Sequence, residues 1–195
     1  DPARLPPGAL LCNAFGHENA MAEYVMAALL LRHVPLADAD AKLRRGNWAY
    51  WAGRPGALRS ELGQQTIGLL GYGHIGKAIG ARAKAFGMQV SVANRSPVPL
   101  SAAVDESYGL DALAPFMGSA DAIVVSLPLN AETTGIVDAA ALAAMRPDGV
   151  IVNVGRGPVI DEAALFAALS ERRIGGAVID TWYQYPGATK PETLP

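Results

Sequence analysis

The stretch Thr66-Ile-Gly-Leu-Leu-Gly-Tyr-Gly-His-Ile-Gly-Lys-Ala-Ile-Gly80, continued by Val90-Ser-Val-Ala-Asn-Arg-Ser96, decides the fold of this chain. It reads as an apolar strand, a glycine-rich turn, a helix and a second strand. Gly71, Gly73 and Gly76 stand at G-x-G-x-x-G spacing directly after the apolar run Ile67 to Leu70. In that pattern the first glycine makes the tight turn and the second admits a pyrophosphate to the backbone. The third lets the helix pack close on the strand, so that its first N–H groups point at the phosphates. A G-x-G-x-x-G alone is weak, because glycines also mark ordinary loops; the strand before it and the helix after it make it a dinucleotide-binding signal.

The end of the second strand bears on which dinucleotide. An acidic residue there would accept from ribose hydroxyls and repel a 2′-phosphate. The strand Met88 to Ala93 instead runs into Asn94-Arg95-Ser96. Asn94 can bond a hydroxyl without charge, Arg95 offers a planar fork to phosphate, and Ser96 adds a hydroxyl. The pattern favours NADP(H) and leaves NAD(H) open.

Working outward, strands and helices alternate from Thr66 onward. Apolar strands are expected at Ala122 to Ser126, Gly149 to Val154 and Gly176 to Asp180. Helices are expected at Asp111 to Met117, Asp138 to Met145 and from Asp161 to Leu169, with a loop from Pro97 to the first of these. Such alternation predicts an α/β fold of Rossmann type, a doubly wound parallel sheet. Before the glycine turn, His17 to Arg32 reads as a helix with Ala20, Tyr24, Ala27, Ala28 and Leu31 at helical spacing. Its other side is also apolar, so burial on most sides is expected. A second helix is expected at Leu36 to Arg45, then a loop from Gly46 to Leu62. A short strand is expected at Ala9 to Cys12.

The 195 residues are 51% hydrophobic and 17% charged, which fits a folded body. A formal net charge of -2 gives no electrostatic footprint for nucleic acid or an acidic membrane. The single Cys12 excludes an internal disulfide framework and a multi-cysteine metal site, and it fits a reducing, cytoplasmic setting. Glu23 breaks the longest apolar run, Asn19 to Leu31, well short of a bilayer span. Neither a metal, nor a nucleic acid, nor a membrane is expected as a partner.

Ligands of open α/β sheets lie beyond the carboxyl ends of the strands. Arg156, flanked by Gly155 and Gly157, follows one strand; Asp180 closes another; Pro128, with Asn130 and Thr133 after it, follows a third. An arginine near a nicotinamide can clamp a small carboxylate and polarise an adjacent carbonyl. Asp180 can accept from the nicotinamide amide.

The chain resembles the D-isomer-specific 2-hydroxyacid dehydrogenase family, which includes glyoxylate/hydroxypyruvate reductases, phosphoglycerate dehydrogenases and formate dehydrogenase. The resemblance rests on five pieces in the family's order. They are Ala22-Glu-Tyr24, Gly68-Leu-Leu-Gly-Tyr-Gly-His-Ile-Gly76, Leu127-Pro-Leu-Asn-Ala-Glu-Thr-Thr-Gly135, Val152-Asn-Val-Gly-Arg-Gly157 and Ala177-Val-Ile-Asp180. It implies an oxidoreductase that moves a hydride between NAD(P)H and a small 2-oxo or 2-hydroxy acid, with Arg156 orienting the substrate. It implies that His74 and Ile75 offer backbone N–H groups to the pyrophosphate, and that Tyr72, Leu127, Pro128, Thr133, Val154, Gly155 and Asp180 line the cofactor. It also implies homodimers through the nucleotide-binding domains, with the helix His17 to Arg32 at or near the contact.

Three departures accompany the likeness. The resemblance implies a glutamate shortly after Asp180 that pairs with a histidine nearer the C-terminus, the general acid/base. Tyr185 stands at the glutamate position, with Gln184 beside it, and the three histidines are His17, His33 and His74. The N-terminal substrate lobe of the family is also largely missing. The chain therefore reads as residues 1–16, a connector and remnant of a substrate lobe; residues 17–183, a nucleotide-binding domain; and residues 184–195, the start of a return to the substrate lobe. A dinucleotide-binding regulator or scaffold without catalysis is the alternative. An adenosylhomocysteinase-like or alanine-dehydrogenase-like lobe fits the glycine loop but explains Val152 to Gly157 less well.

Overall fold

A computed structural model describes residues 6, 8, 9, 15–51, 53 and 61–185. The expected strand at Ala9 to Cys12 falls largely outside the described residues, as do the last ten residues of the expected return segment. Among the described residues six strands form one parallel sheet: β1 (Thr66–Leu70), β2 (Gln89–Asn94), β3 (Glu106–Gly109), β4 (Ala122–Val125), β5 (Val150–Asn153) and β6 (Gly176–Ile179). Their order across the sheet is β3-β2-β1-β4-β5-β6, and every pairing is parallel. The chain builds outward from β1, then crosses back to β4 and builds the other way. A crevice for ligands therefore opens at the carboxyl ends of β1 and β4.

The central strands β1, β4 and β5 are buried on both faces, which is why they read as near-continuous apolar runs. One face is covered by α1 (Glu18–His33) and α3 (His74–Ala85), whose Val25, Leu29, Ile79 and Ala83 pack on Ile67, Leu69, Val124 and Val152. The other is covered by α4 (Leu113–Ser119), α5 (Ala139–Ala144) and α6 (Glu162–Ser170), with Phe116, Leu142 and Leu165 against Leu70, Ile123 and Ile151. Asp138 and Asp161 cap α5 and α6 by accepting from the amides of Ala141 and Ala164, at 2.8 and 2.7 Å. α2 (Leu36–Leu43) lies on the surface with no buried residue, ending two positions before the expected Arg45.

Three expectations need correction. The loop expected after Ser96 contains β3, whose residues Glu106-Ser-Tyr-Gly109 carry no apolar run. Among the described residues it pairs only with β2, so as an edge strand it needs no apolar run. The helix expected from Asp111 begins as a 3-10 turn, Leu110–Ala112, with Pro115 tolerated in the first turn of α4. Burial of the first helix on most sides also fails. Ala22, Val25, Met26 and Leu29 are buried, while Ala20, Tyr24, Ala27 and Leu31 are exposed. A helix that docks on a sheet buries one stripe, whatever the polarity of the other. Polar ties hold α1 at both ends. Arg82 of α3 donates to Asn19 and Glu23, and Arg32 donates to the carbonyls of Asp148 and Gly175, both at 3.1 Å.

Candidate functional site

The glycine turn joins β1 to α3. Gly71 has φ 100°, a conformation that costs a side-chain-bearing residue strain, and its N–H donates to Ala93 O at 2.9 Å. A Cβ on Gly76 would overlap the carbonyl oxygen of Gly71, so the first turn of α3 can close onto the end of β1 only with glycine there. Gly73 differs. A Cβ there would meet nothing within 4 Å, so open space faces the turn at this residue. The first intrahelical bond of α3 runs from Lys77 N to Gly73 O, which leaves the amides of His74, Ile75 and Gly76 at the helix start for a ligand. A pyrophosphate needs this combination of a bare approach and convergent N–H donors, so the residues fit a dinucleotide.

The flanking side chains serve the turn. The Tyr72 ring lies along the glycine face of α3, 3.6 Å from where Cβ atoms on Gly76 and Gly80 would be, and burial pushes its phenol up from the ordinary value. Ile75 is half-buried against the core, whereas His74 is exposed with its ring centroid 5.3 Å from that of Phe15. At the end of β2, Asn94 accepts from Tyr72 N at 3.3 Å and donates to Ser96 O at 3.0 Å. Arg95 and Ser96 are exposed beside it.

Across the crevice three loops are packed edge to edge. Ser126 Oγ donates to Gly71 O at 3.1 Å, joining the ends of β4 and β1. Leu127 is nearly buried against Gly71, and a Cβ on Gly155 would come 2.7 Å from Leu127 O. A Cβ on Gly157 would come 2.5 Å from Trp182 O, so the turn after β5 touches the segment after β6. Arg156, between the two glycines, is exposed and donates to Gly155 O at 2.8 Å. Asp180, also exposed, follows β6, its N–H donating to Asn153 O at 3.0 Å. Arg156 and Asp180 thus leave neighbouring strands of the same carboxyl edge.

Two of the expected cofactor residues do structural work here. Thr133 is buried; its hydroxyl donates to Pro128 O at 2.6 Å and accepts from Asn130 N at 2.9 Å, closing the loop behind Pro128. Val154 is buried in the core with its N–H bonded to Val125 O. Asn153 was not singled out from the sequence. It is 1% exposed, accepts from Gly155 N at 3.1 Å and donates to Arg156 O at 3.0 Å, so it shapes the turn that carries the arginine. Its signal was a lone amide ending an apolar strand, where an unpaired polar group would be costly. Tyr185, at the position of the expected glutamate, accepts from Trp182 N at 3.1 Å, and Gln184 is exposed. No cluster of three or more His, Cys, Asp or Glu suited to a metal exists among the described residues. Among them, no single helix is long and apolar enough to cross a membrane.

Residues 25–194 match the family model of the D-isomer specific 2-hydroxyacid dehydrogenase, NAD binding domain. The chain is 35% identical over 159 residues to a hydroxyphenylpyruvate reductase of Plectranthus scutellarioides, covering 82% of this chain and 48% of that protein. It is 33% identical over 175 residues to a glyoxylate reductase of Thermococcus gammatolerans, covering 86% and 51% respectively. Among solved structures it resembles a D-isomer specific 2-hydroxyacid dehydrogenase from Xanthobacter autotrophicus Py2 in complex with NADPH and MES. That likeness has a TM-score of 0.74 at 32% identity, covering 89% of this chain and 53% of the other. The chain spans about half the length of these relatives.

Proposed function

The chain belongs to the D-isomer specific 2-hydroxyacid dehydrogenase family, and on that premise we propose that it is the nucleotide-binding lobe of a reductase that converts a short 2-oxo acid to its 2-hydroxy acid. The observation that carries this reading is the bare face of Gly73 beside three uncommitted helix-start amides, on the same carboxyl edge as Arg156 and Asp180. The amides of His74, Ile75 and Gly76 hold the pyrophosphate, and Leu127, Pro128 and Gly155 border the crevice. The nicotinamide, when bound, supplies the hydride. Asp180 accepts from its carboxamide. Arg156 clamps the substrate carboxylate and stabilises negative charge developing on the carbonyl oxygen. The general acid/base for that oxygen is, by the family resemblance, a histidine nearer the C-terminus, a place that none of His17, His33 and His74 occupies.

We further propose NADPH as the preferred donor, read by Arg95 at the 2′-phosphate. Support comes from the exposed Arg95-Ser96 pair and the want of a carboxylate at Asn94; the solved relative from Xanthobacter was crystallised with NADPH. A homodimer is supported by the open apolar face of α1, where Tyr24 and Leu31 are 39% and 57% exposed. Its check is sedimentation of the wild type against Leu31→Glu.

The decisive experiment is cofactor oxidation by the full-length parent, with NADPH and NADH each offered glyoxylate and hydroxypyruvate. Turnover favouring NADPH supports the whole reading. Tight nucleotide binding with no turnover on any 2-oxo acid overturns it in favour of a non-catalytic binding protein, for which Tyr185 in place of a glutamate is the specific observation.

A further inference from the structure

The end of β2 is tied more firmly than a hydroxyl-binding role requires. One side chain, Asn94, reaches in two directions: its Oδ1 accepts from Tyr72 N inside the glycine turn, and its Nδ2 donates to Ser96 O. One residue earlier, Ala93 O accepts from Gly71 N. The glycine turn is therefore joined to the end of β2 at two consecutive residues, and the turn after β2 is joined to both through one amide. Arg95 sits between the two anchored residues, exposed, and its side chain forms no hydrogen bond among the described residues.

We infer that Asn94 is a positioning residue for nucleotide selection: it holds the Arg95-Ser96 turn in register with the pyrophosphate-binding glycine turn, and acts on the 2′-phosphate through Arg95. This rests on the reading of Arg95 given above. The physical reason is that one nucleotide carries both phosphate groups at a spacing set by its own ribose. Two protein sites that address it together gain affinity only if their separation is fixed beforehand; a loose Arg95 turn would have to be ordered on binding. The need for an amide follows. An aspartate at position 94 could still accept from Tyr72 N, but it has no donor for Ser96 O and would set a carboxylate against a carbonyl. Position 94 thus disfavours a carboxylate through the backbone as well as through repulsion of the phosphate.

The test is a double-mutant cycle read by fluorescence titration of NADPH and NADH, using the chain itself, with Asn94→Ala, Arg95→Ala and the pair. Asn94→Ala is expected to weaken NADPH roughly tenfold while changing NADH by less than about threefold. In the Arg95→Ala background the same change should cost NADPH no more than NADH. NADH binding reports that the fold survives; if Asn94→Ala does not fold, Asn94→Ser is measured in its place and read the same way. An NADPH-specific loss of the same size in both backgrounds would mean that Asn94 touches the nucleotide directly, overturning the inference and leaving Arg95 as the reader. Equal losses for both nucleotides on Asn94→Ala would make the residue merely structural and would also overturn it. Equal losses on Arg95→Ala alone would sink the reading of Arg95, and the inference with it.

Discussion

The two halves of the sheet address the crevice by different means. On the β1–β3 side the surface offered to a ligand is backbone: a turn without side chains, open space at Gly73, and the first amides of α3. On the β4–β6 side it is side chain: Arg156 and Asp180, standing on loops that touch one another through Gly155 and Gly157. The glycines do opposite jobs in the two halves. Gly73 leaves room for something that is not protein. Gly155 and Gly157 remove room, so that three loops form one rigid edge. A binding surface made of N–H groups is already fixed by its helix, whereas a long arginine is useful only if its base cannot wander.

That contrast predicts a clean separation of effects. The largest is expected for Arg156→Ala in the full-length parent. Removing one partner of a charge-assisted pair costs about 2–5 kcal/mol, so kcat/KM should fall by roughly thirtyfold to a few thousandfold. The dissociation constant for NADPH should hardly move; a parallel loss of nucleotide binding would break the comparison. Next come two alanine substitutions in the turn itself. Gly76→Ala must push the helix off Gly71 and is expected to cost about 1–3 kcal/mol of stability, seen as a lower melting temperature. Gly73→Ala meets nothing, so its melting temperature should stay near that of the wild type while NADPH binding weakens roughly tenfold or more. If both variants melt alike, the two glycines do not differ as proposed.

A sharper test of the other half is Asn153→Ala. It leaves the Gly155 amide and the Arg156 carbonyl without their partner and should cost about 1–3 kcal/mol. KM for the 2-oxo acid should rise with NADPH affinity little changed, because the loss loosens the arginine's turn. The smallest effect concerns pH. Burial, followed by the Glu162 and Asp161 carboxylates, pushes the Tyr183 phenol from 10.0 up to about 12. The folded chain holds that proton to higher pH than the unfolded chain does. The contribution to stability is therefore full below about pH 10 and is lost as pH rises toward 12. Tyr183→Phe should flatten this part of the alkaline melting curve; an unchanged slope would show that the phenol titrates alike in the folded and unfolded states.

The nucleotide-binding half was largely legible from residues 66–96. A glycine at fixed spacing after an apolar strand leaves few conformations to choose from, and buried parallel strands announce themselves as apolar runs. The weak points were those where the local pattern is ambiguous. Glu106 to Gly109 form a strand because β2 offers an open edge, and nothing in the sequence Glu-Ser-Tyr-Gly says so. The stripe Ala20, Tyr24, Ala27 and Leu31 looks as much like a core face as the stripe that is buried. Only docking on the sheet and α3, with Arg82 and Arg32 tying the two ends, decides between them.

What the sequence by itself determined is the alternation of elements, the glycine turn, and the list of polar residues at strand ends, since these follow from local sterics and from the burial of apolar runs. The tertiary structure alone decided which of those polar residues are spoken for. Thr133 closes its own loop, Asn153 carries the arginine's turn, and Asn94 joins two turns that lie more than twenty residues apart in the chain. Hydrogen-bond partners of that kind are chosen by how strands and loops meet in space, and spacing along the chain carries no trace of them.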